Sequence, residues 1–340
     1  MSQNKYSPHN HLRQKCFTIL VNEYNAGKRL DMVVASCVSD CSRSFSASLI
    51  RKGKILVHGT LKKPGYHVRK GDEICGLIPS PEQVLFEPEP IEIDIIYEDE
   101  HLVVINKQPG LVVHPAPGHY RGTLVNGLLY HCPGLKEMGE KLRHGIVHRL
   151  DKNTSGVLVV AKNEVAHNNL ALQFKSRKIK KRYLAIVHGK IESDSGSISL
   201  PIGRHPIDRK KMSIISRKTR SAETLWKVVE RFYETTLLEI NLKTGRTHQI
   251  RVHCSAIKHP VLGDSVYCGR KTLIKLLPGV AISDIIKVVP RQMLHAWQLE
   301  FTHPVTKISM SFEAPVPQDM KKLIKALRLL QNPFSYKPRI

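Results

Sequence analysis

The chain has 340 residues, with 53 Lys and Arg against 29 Asp and Glu, so its formal charge at pH 7 is +24. Hydrophobic residues make up 41%, and Gly and Pro contribute only 21 and 20 residues, which excludes collagen-like and disordered chains. The length predicts about two domains, each with a core of its own. So large a positive charge is unusual for a metabolic enzyme and is typical of a protein that binds a polyanion.

The cysteines and the apolar residues indicate where the protein works. Seven cysteines are scattered without any C-x-x-C pair, which predicts free thiols in a reducing cytoplasm rather than a disulfide framework. No run of about 18 apolar residues exists. We therefore expect a cytoplasmic protein, neither secreted nor inserted in a membrane.

Sequence motifs for the common kinds of catalytic site are absent. The chain has no G-x-x-x-x-G-K-[ST] phosphate loop, no G-x-S-x-G nucleophile elbow and no H-E-x-x-H zinc motif. His144 and His148 are four residues apart, but Gly145 and two β-favouring residues separate them, which is a poor arrangement for converging on an ion. The sequence predicts no metal site and no nucleotide hydrolysis.

Charge is distributed unevenly along the chain. Residues 82–100 contain eight acids and no Lys or Arg, whereas residues 175–182 contain six Lys or Arg and residues 204–220 contain seven with one acid. Either basic run alone is equally well explained as a solvated surface. Two runs that flank the polar segment described below favour RNA or DNA as the partner.

The first part of the chain predicts a small module of two helices and a hairpin. Apolar residues fall on one helical face from Leu30 onward, and a second helical segment ends at Gly53. Short strand-like pieces follow, separated by glycines: Ile55 to Val57, a piece around Val68, and Glu73 to Ile78. Prolines then punctuate the acidic stretch, which predicts a linker.

The remainder predicts a larger domain in which strands and helices mix without regular alternation. The strand candidates are Leu102–Ile105, Gly156–Ala161, Tyr183–Val187, Thr236–Asn241 and Ile308–Phe312. Helices are predicted at Glu164–Lys175 and Asp319–Leu330. This order favours an α+β fold over a doubly wound parallel sheet. The predicted boundaries are a flexible arm at 1–15, the small module at 16–79, a linker at 80–90, the larger domain at 91–330 and a tail at 331–340.

One polar segment of the larger domain carries the strongest chemical signal. Residues 148–156 read His-Arg-Leu-Asp-Lys-Asn-Thr-Ser-Gly, so Asp151 lies between two cations in a turn that leads into an apolar strand. A loop carboxylate held by a rigid strand suits covalent or acid/base chemistry. Taken alone, the same residues are more typical of an Asp that caps a turn.

This segment resembles the signature of the RluA-type pseudouridine synthases, and further stretches extend the likeness in the family's order. They are His101–Pro115, Lys181–Gly189, Gly245–His253 with His259–Tyr267, Leu294–Ala296 and His303–Pro304. Arg204–Pro206, Gly269–Arg270 and Pro315–Met320 are most similar to the RluD branch, which modifies large-subunit ribosomal RNA. The resemblance implies an α+β catalytic domain on a mixed, largely antiparallel sheet with flanking helices. It also implies an enzyme that isomerises uridine to pseudouridine, with 23S ribosomal RNA as the expected substrate.

The small module resembles an S4 RNA-binding domain. The likeness lies in Arg29-Leu30-Asp31, in the helix end Arg51–Lys54 and in Lys70–Ile74. It implies RNA contacts from four basic residues: Arg29, Arg51, Lys52 and Lys54. Where the family has a Val-Asn-Gly turn this chain has Val57-His58-Gly59, and His tolerates left-handed backbone geometry better than most residues.

The resemblance implies three catalytic residues. Asp151 is the expected catalytic carboxylate, acting on the sugar at C1′ or C2′, and Arg251 is expected to keep it ionised and oriented. Tyr183 is expected to stack on the flipped uracil and to take part in removing the C5 proton. Without the resemblance, Tyr183 is more typical of core packing and Arg251 of a helix surface. Isomerisation involves no net redox change or hydrolysis, so no cofactor is implied.

Three further residues of the larger domain are implied to contact RNA. Arg149 is expected to occupy the space left when the nucleotide flips out, although a phosphate contact or a structural salt bridge would also explain it. Ile250 is expected to pack against Tyr183 and the base, and Arg246 to bind RNA.

Other functions stay open at this point. A catalytically inactive S4-type RNA-binding ribosome-assembly factor would have the same charge, but the intact residues Asp151, Tyr183 and Arg251 favour an enzyme. A pseudouridine synthase acting on tRNA would share every motif. A DNA-binding regulator is disfavoured because the sequence lacks a convincing helix-turn-helix, and we expect RNA rather than DNA as the partner.

Overall fold

The computed structural model of the protein describes residues 15–39, 41–78, 86–114, 121–209, 211–216, 218–268 and 289–331. The chain forms two compact units, Met1–Val84 and Leu85–Ile340. The predicted arm, apart from Lys15, and the predicted tail, apart from Gln331, lie outside the described residues. Within the described parts, no helix combines the length and the apolar character needed to cross a bilayer.

The N-terminal unit contains two helices and a three-stranded antiparallel sheet of order β1-β3-β2. Its elements are β1 (Lys15–Leu20), α1 (Leu30–Cys37), α2 (Arg43–Arg51), β2 (Ile55–Val57) and β3 (Glu73–Ile78). Both predicted helices are confirmed. Helix α2 begins after Ser42, whose hydroxyl accepts a hydrogen bond from the Phe45 N–H, and the left-handed Gly53 follows its end.

The strand predicted around Val68 is wrong. Val68 is 1% exposed and belongs to the core of this unit, but its backbone bonds only to the loop residues Gly27 and Lys28. The neighbouring His67 forms an isolated bridge with Arg29. The apolar character of Val68 therefore reflects burial under a loop rather than a place in a sheet ladder.

The C-terminal unit is built on a mixed nine-stranded sheet flanked by helices, which confirms the α+β class. Eight strands follow the order β4-β5-β6-β14-β7-β13-β12-β8, and β15 pairs with β14. Of the pairings among the described strands, β6 with β14 is parallel and the others are antiparallel. The strands are β4 (Ile95–Glu98), β5 (Leu102–Lys107), β6 (Ser155–Ala161), β7 (Lys180–His188), β8 (Ser195–Ile198), β12 (Thr224–Arg231), β13 (Thr235–Leu242), β14 (Leu294–Thr302) and β15 (Ser309–Glu313).

A small sheet and a set of helices complete this unit. The small sheet has the order β10-β9-β11 and overlaps the second basic run: β9 (Ile202–Arg204), β10 (Met212–Ser213) and β11 (Thr219–Arg220). The helices are α3 (Leu124–His131), α4 (Leu135–Met138), a 3-10 segment (Glu140–Gly145), α5 (Glu164–Lys175), α6 (Gln249–Ala256) and α7 (Gln318–Gln331).

The helices cover both faces of the large sheet. Val103 and Ile105 of β5 pack in one cluster with α3, whereas Leu102 and Val104 pack on the opposite face with α5. The side chains of β7 and β13 also alternate between the two faces. Those on one face pack against α6, and those on the other face pack against α7. Burial on both faces explains why β5 and β6 have unbroken apolar sequences.

The predicted linker at 80–90 is wrong in its second half. Residues 79–85 lie outside the described residues, but Phe86 packs against the core beside α3. The Asn126 side chain donates a hydrogen bond to the Glu87 carbonyl at 2.8 Å, and Glu89 N–H donates to the Asn126 carbonyl at 3.0 Å. The prolines and acids produce an extended segment here, and this segment is bound to helix α3. It was predicted as a linker because linkers have the same composition.

Candidate active site

The loop between Leu150 and β6 carries Asp151. Leu150 is buried in the core, and the Thr154 N–H donates a hydrogen bond to the Asp151 carbonyl at 3.0 Å, which closes a tight turn. The Asp151 side chain is 18% exposed. The buried residue before it and the strand after it therefore hold the carboxylate at the edge of the core with access to solvent.

Helix α6 supplies Arg251, whose guanidinium joins two carboxylates. Nη1 donates to Asp151 Oδ2 at 2.8 Å, while Nε and Nη2 donate to the two oxygens of Asp264 at 2.6 and 2.9 Å. Burial by itself would lower the pKa of Arg251, but the hydrogen bonds to Asp264 and the two negative charges outweigh it and raise that pKa. Arg251 is thus a permanent cation held between two acids, and not a residue of the helix surface.

Asp264 is the residue of this cluster to which sequence reasoning assigned no role. Its side chain is fully buried, and its Oδ1 also accepts hydrogen bonds from the Val266 and Tyr267 N–H groups. Burial would raise the pKa of Asp264, but the bonds and charge of Arg251 reverse this and leave the pKa below its usual value. The buried carboxylate therefore fixes Arg251 from behind and leaves Nη1 for Asp151.

Arg251 accounts for one oxygen of Asp151. The hydrogen bond and the nearest ion pairs all involve Oδ2, and no described residue donates a hydrogen bond to Oδ1. The carboxylate is therefore oriented through one oxygen, and its other oxygen has no hydrogen bond within the described part of the chain. This division suits a carboxylate that must react with a substrate atom.

Tyr183 comes from β7, in the middle of the sheet. It lies opposite Ile240 of β13 and Ala296 of β14, and its ring packs against the clusters on either side of the site. Burial, with a contribution from the charge of Asp151, raises the pKa of Tyr183 well above its usual value. Its hydroxyl is therefore un-ionised at neutral pH and makes no hydrogen bond with the residues that the structure describes.

His248, which precedes α6, also reaches the site. Its backbone is left-handed with φ 57°, its Nε2 lies 3.8 Å from Asp151 Oδ2, and its Nδ1 lies 2.8 Å from the Tyr267 hydroxyl. The same hydroxyl accepts a hydrogen bond from the Met212 N–H at 2.8 Å. Burial lowers the pKa of His248 despite the nearby carboxylate, which favours the neutral ring.

These groups surround a cavity of about 120 Å³. Asp151, Tyr183 and Arg251 line it together with the exposed Arg149 and the buried Ile250. Further lining comes from Leu150, Thr154, Leu242, Gly245, Arg246, Thr247, His248, Gln249 and Leu294. The structure thus brings together all six residues of the larger domain that the sequence singled out.

The comparisons with known proteins agree with this geometry. Residues 101–256 match the profile of the family described as RNA pseudouridylate synthase, and residues 28–74 match the S4 domain. An uncharacterized RNA pseudouridine synthase of Bacillus subtilis is 43% identical over 310 residues, which cover 91% of this chain and 97% of that protein. The chain belongs to the RNA pseudouridine synthase family. It is an enzyme that isomerises uridine to pseudouridine in RNA, and its N-terminal unit is an S4 domain.

Other relatives of the synthase carry more specific names. The ribosomal large subunit pseudouridine synthase D of Neisseria meningitidis serogroup B is 44% identical over 89% of this chain and 80% of that protein. The protein of the same name from Pseudomonas aeruginosa is 43% identical over 91% of this chain and 94% of that protein. Among solved structures, human RNA pseudouridylate synthase domain containing 4 aligns with a TM-score of 0.55 and 27% identity over 69% of this chain and 93% of that one.

The basic residues predicted to bind RNA in the S4 domain of the synthase are accessible to solvent. Arg51, Lys52 and Lys54 follow one another at the end of α2 and are all exposed. Arg29 differs, because its guanidinium donates two hydrogen bonds to the buried Asp31, at 2.8 and 3.1 Å. Its side chain is still 41% exposed, so Arg29 combines a local structural role with an accessible charge.

Arg246 of the catalytic unit likewise makes local hydrogen bonds and lines the cavity. Its Nε donates a hydrogen bond to the Ser221 carbonyl at 3.1 Å, and its N–H donates to the Gln249 side chain at 3.0 Å. The residue lines the cavity and is half-buried. It connects the start of α6 to the end of the second basic run.

The two histidines considered as metal ligands serve different purposes in the synthase. His148 Nε2 accepts a hydrogen bond from the Val159 N–H at 3.0 Å, and its ring stacks on Phe174. His144 Nδ1 lies 3.3 Å from the Leu135 carbonyl. In the described residues one group of potential ligands does converge, Glu98 with His131 and Cys132, and none of the three lines the cavity. Lys162 Nζ lies 2.8 Å from Glu98 Oε1, so an ion pair already neutralises that carboxylate.

Proposed function

We propose that this synthase isomerises uridines of large-subunit ribosomal RNA, within a large-subunit particle. The observation that carries the proposal is the 42–44% identity with relatives named ribosomal large subunit pseudouridine synthase D, over most of the chain. The similarity spans both the S4 domain and the catalytic unit. The formal net charge of +24 on the chain supports a large, structured RNA as the substrate.

The proposed chemistry begins at Asp151. The N1–C1′ bond of the target uridine breaks, the uracil turns, and a C5–C1′ bond forms; N1 gains a proton and C5 loses one, so no atom is gained or lost. Asp151 acts on the sugar at C1′ or C2′ through the oxygen that Arg251 leaves without a hydrogen bond. Arg251 holds this carboxylate in a fixed orientation, because the buried Asp264 fixes the guanidinium in place.

Tyr183 contributes its ring to the proposed mechanism. It forms one wall of the cavity, packs in one cluster with Ile250, and can stack on the extruded uracil. That its phenol takes part in removing the C5 proton stays a prediction; burial raises the pKa of Tyr183, so the hydroxyl enters the reaction un-ionised. The exposed Arg149 lines the same cavity, which supports the proposal that it occupies the gap left by the flipped nucleotide.

The decisive experiment compares the wild-type synthase with Asp151→Asn on RNA tritiated at C5 of uridine. The substrates are a large-subunit ribosomal RNA, as naked RNA and in a subunit particle, and bulk tRNA. We expect wild-type release of tritium from the ribosomal RNA and none from Asp151→Asn, which retains the shape of the side chain and loses its charge. Near-normal release by the variant would contradict the role of Asp151, and release from tRNA alone would contradict the substrate.

We also propose that the synthase works in the reducing cytoplasm. All seven cysteines lie in described residues, and all are free thiols. Four of them are buried, so oxidation to disulfides would require unfolding. Fractionation of cells that express a tagged chain would test this location.

A further inference from the structure

The loop that carries Asp151 is held by buried groups that do not line the cavity. Lys107, at the end of β5, is 1% exposed, and its Nζ donates to three carbonyl oxygens, including that of Lys152 at 3.1 Å. Arg291, just before β14, is 5% exposed, and its Nη1 donates to the Asn153 carbonyl at 3.1 Å. Two buried basic side chains therefore bind the two backbone carbonyls that follow Asp151.

The next two residues of the loop are bound through their side chains. The Gln292 amide donates to the Thr154 hydroxyl at 3.3 Å, and the Ser155 hydroxyl lies 2.9 Å from His295 Nδ1. Each residue from 152 to 155 thus has a partner, and three of the four partners come from the segment 291–295. This segment leads into β14, which pairs in parallel with β6.

Arg291 also connects the loop to helix α7. Its Nε and Nη2 donate to the two oxygens of Asp319, in the first turn of that helix, at 2.6 and 2.9 Å. Its Nη1 additionally donates to the carbonyls of Gln292 and Leu294. The planar guanidinium can donate hydrogen bonds to the Asp319 carboxylate from one edge and to the Asn153 carbonyl from the other, which a lysine ammonium cannot do.

Stability alone does not account for this arrangement. A buried ion pair contributes little net stability, and apolar residues of similar volume often stabilise a protein as well or better. Helix α7 already packs on the sheet through Met320, Leu323 and Leu327. What an apolar residue could not do is hold the carbonyl of Asn153, two residues from the catalytic carboxylate, at a fixed place.

We propose that Arg291, oriented by Asp319, is a positioning residue for the isomerisation. It sets the backbone of the loop so that Asp151 meets both Arg251 and the sugar. A displacement of about 1 Å at a catalytic group can reduce a rate about 100-fold, so loss of one anchor changes the chemical step before it changes RNA binding. Helix α7 thereby takes part in catalysis without contacting the substrate.

The test uses three variants of the full chain. Arg291→Lys retains a charge for Asp319 and loses the branch that reaches Asn153. Asp319→Asn leaves Arg291 in place and weakens its orientation. Arg328→Gln is the matched control, since Arg328 also pairs from α7, with Glu230 at 2.7 Å, but does not contact the loop. Single-turnover rate, RNA dissociation constant and thermal midpoint are measured for each, with rates taken well below every midpoint.

We expect a 10- to 100-fold lower single-turnover rate for Arg291→Lys, a smaller loss for Asp319→Asn, and RNA affinities within twofold of wild type. Arg328→Gln should retain the wild-type rate. A folded Arg291→Lys with the wild-type rate would overturn the proposal, as would rate losses that match those of Arg328→Gln. If Arg291→Lys does not fold, Asp319→Asn decides in the same way. An inactive wild type would instead count against the proposed substrate.

Discussion

Arg251 shows how a single residue combines three distant parts of the chain. Its guanidinium contacts Asp151, 100 positions earlier, and Asp264, 13 positions later, and is only 6% exposed. Arg251 and Asp264 are both buried, which costs desolvation energy, and loss of either one would leave the other as a buried charge without its main partner. The proposed mechanism explains why this cost is tolerated, because it requires the Asp151 carboxylate to be oriented beside the reacting sugar.

Tyr183 allows the ring and the hydroxyl to be tested separately. Because the hydroxyl makes no hydrogen bond within the described structure, Tyr183→Phe should fold and bind RNA normally. Any loss of turnover in this variant would come from the missing contact between the hydroxyl and the substrate. Tyr183→Ala should also weaken binding of the flipped base by about 1 to 3 kcal/mol, the usual magnitude of stacking. Rates, RNA affinities and thermal midpoints of both variants distinguish these effects. Equal defects confined to thermal stability would assign Tyr183 to core packing.

At the scale of elements, two turns show how backbone geometry is encoded. After β2, His58 and Gly59 both have positive φ, 47° and 68°, as a type I′ turn requires, so His is accepted where the S4 family has Asn. At the start of β6, Gly156 has φ 114° and pairs with Ala296 across the parallel strands. A Cβ on Gly156 would lie 2.1 Å from the Ala296 carbonyl oxygen. The parallel pairing next to the Asp151 loop therefore requires glycine.

Gly156→Ala should destabilise the synthase by on the order of 3 kcal/mol, because the left-handed backbone and the clash with a carbonyl both oppose the new methyl group. The variant should also lose activity at temperatures where it is folded, because β14 cannot move away from the new methyl group without shifting the loop that carries Asp151. Gly134→Ala is the control, because Gly134 has φ −58° and nothing within 4 Å of an added Cβ. Urea unfolding measures the first effect and tritium release the second. Similar behaviour of the two variants would contradict this account.

At the scale of the whole molecule, the two units should be separable. Removal of residues 1–84 should leave a folded catalytic unit, provided that the cut spares Phe86 to Glu89, which contact α3. Loss of the basic S4 domain should lower affinity for structured RNA and make its salt dependence shallower, because fewer phosphates are neutralised. Single-turnover rates at saturating RNA should change less. Binding across a salt series tests this, and an unchanged slope would mean that the S4 domain does not contact RNA.

Buried histidines should make the fold sensitive to acid. Burial lowers the pKa of His188 and of His295 to about 4, below their usual 6.5, so both are neutral in the folded protein at neutral pH. The stability that these rings contribute is present above pH 6.5 and is lost as pH falls towards 4, because the unfolded chain binds protons first. Each can remove up to about 1.4 kcal/mol per pH unit in that interval.

His188→Leu isolates this effect. Both ring nitrogens of His188 are buried without a hydrogen-bond partner among the described residues, so the substitution sacrifices no bond. The free energy of unfolding should change little at pH 7 and fall less steeply than in wild type between pH 6.5 and 4. Urea unfolding at half-unit steps of pH provides the comparison. Parallel curves for the two proteins would show that His188 is not protonated on acid unfolding.

Local patterns in the sequence determined the helices from Leu30, Arg43, Glu164 and Gln318, most buried strands and the α+β class, and motif order singled out Asp151 as a candidate, because periodicity and motif order are properties of neighbouring residues. They did not reveal the place of residues 86–90, the role of Asp264, or the anchors Lys107 and Arg291. Those depend on contacts between positions far apart in the chain. Arg291 shows the reason: it contacts Asn153, 138 residues earlier, only because β6 and β14 pair in parallel, and no local pattern encodes that pairing.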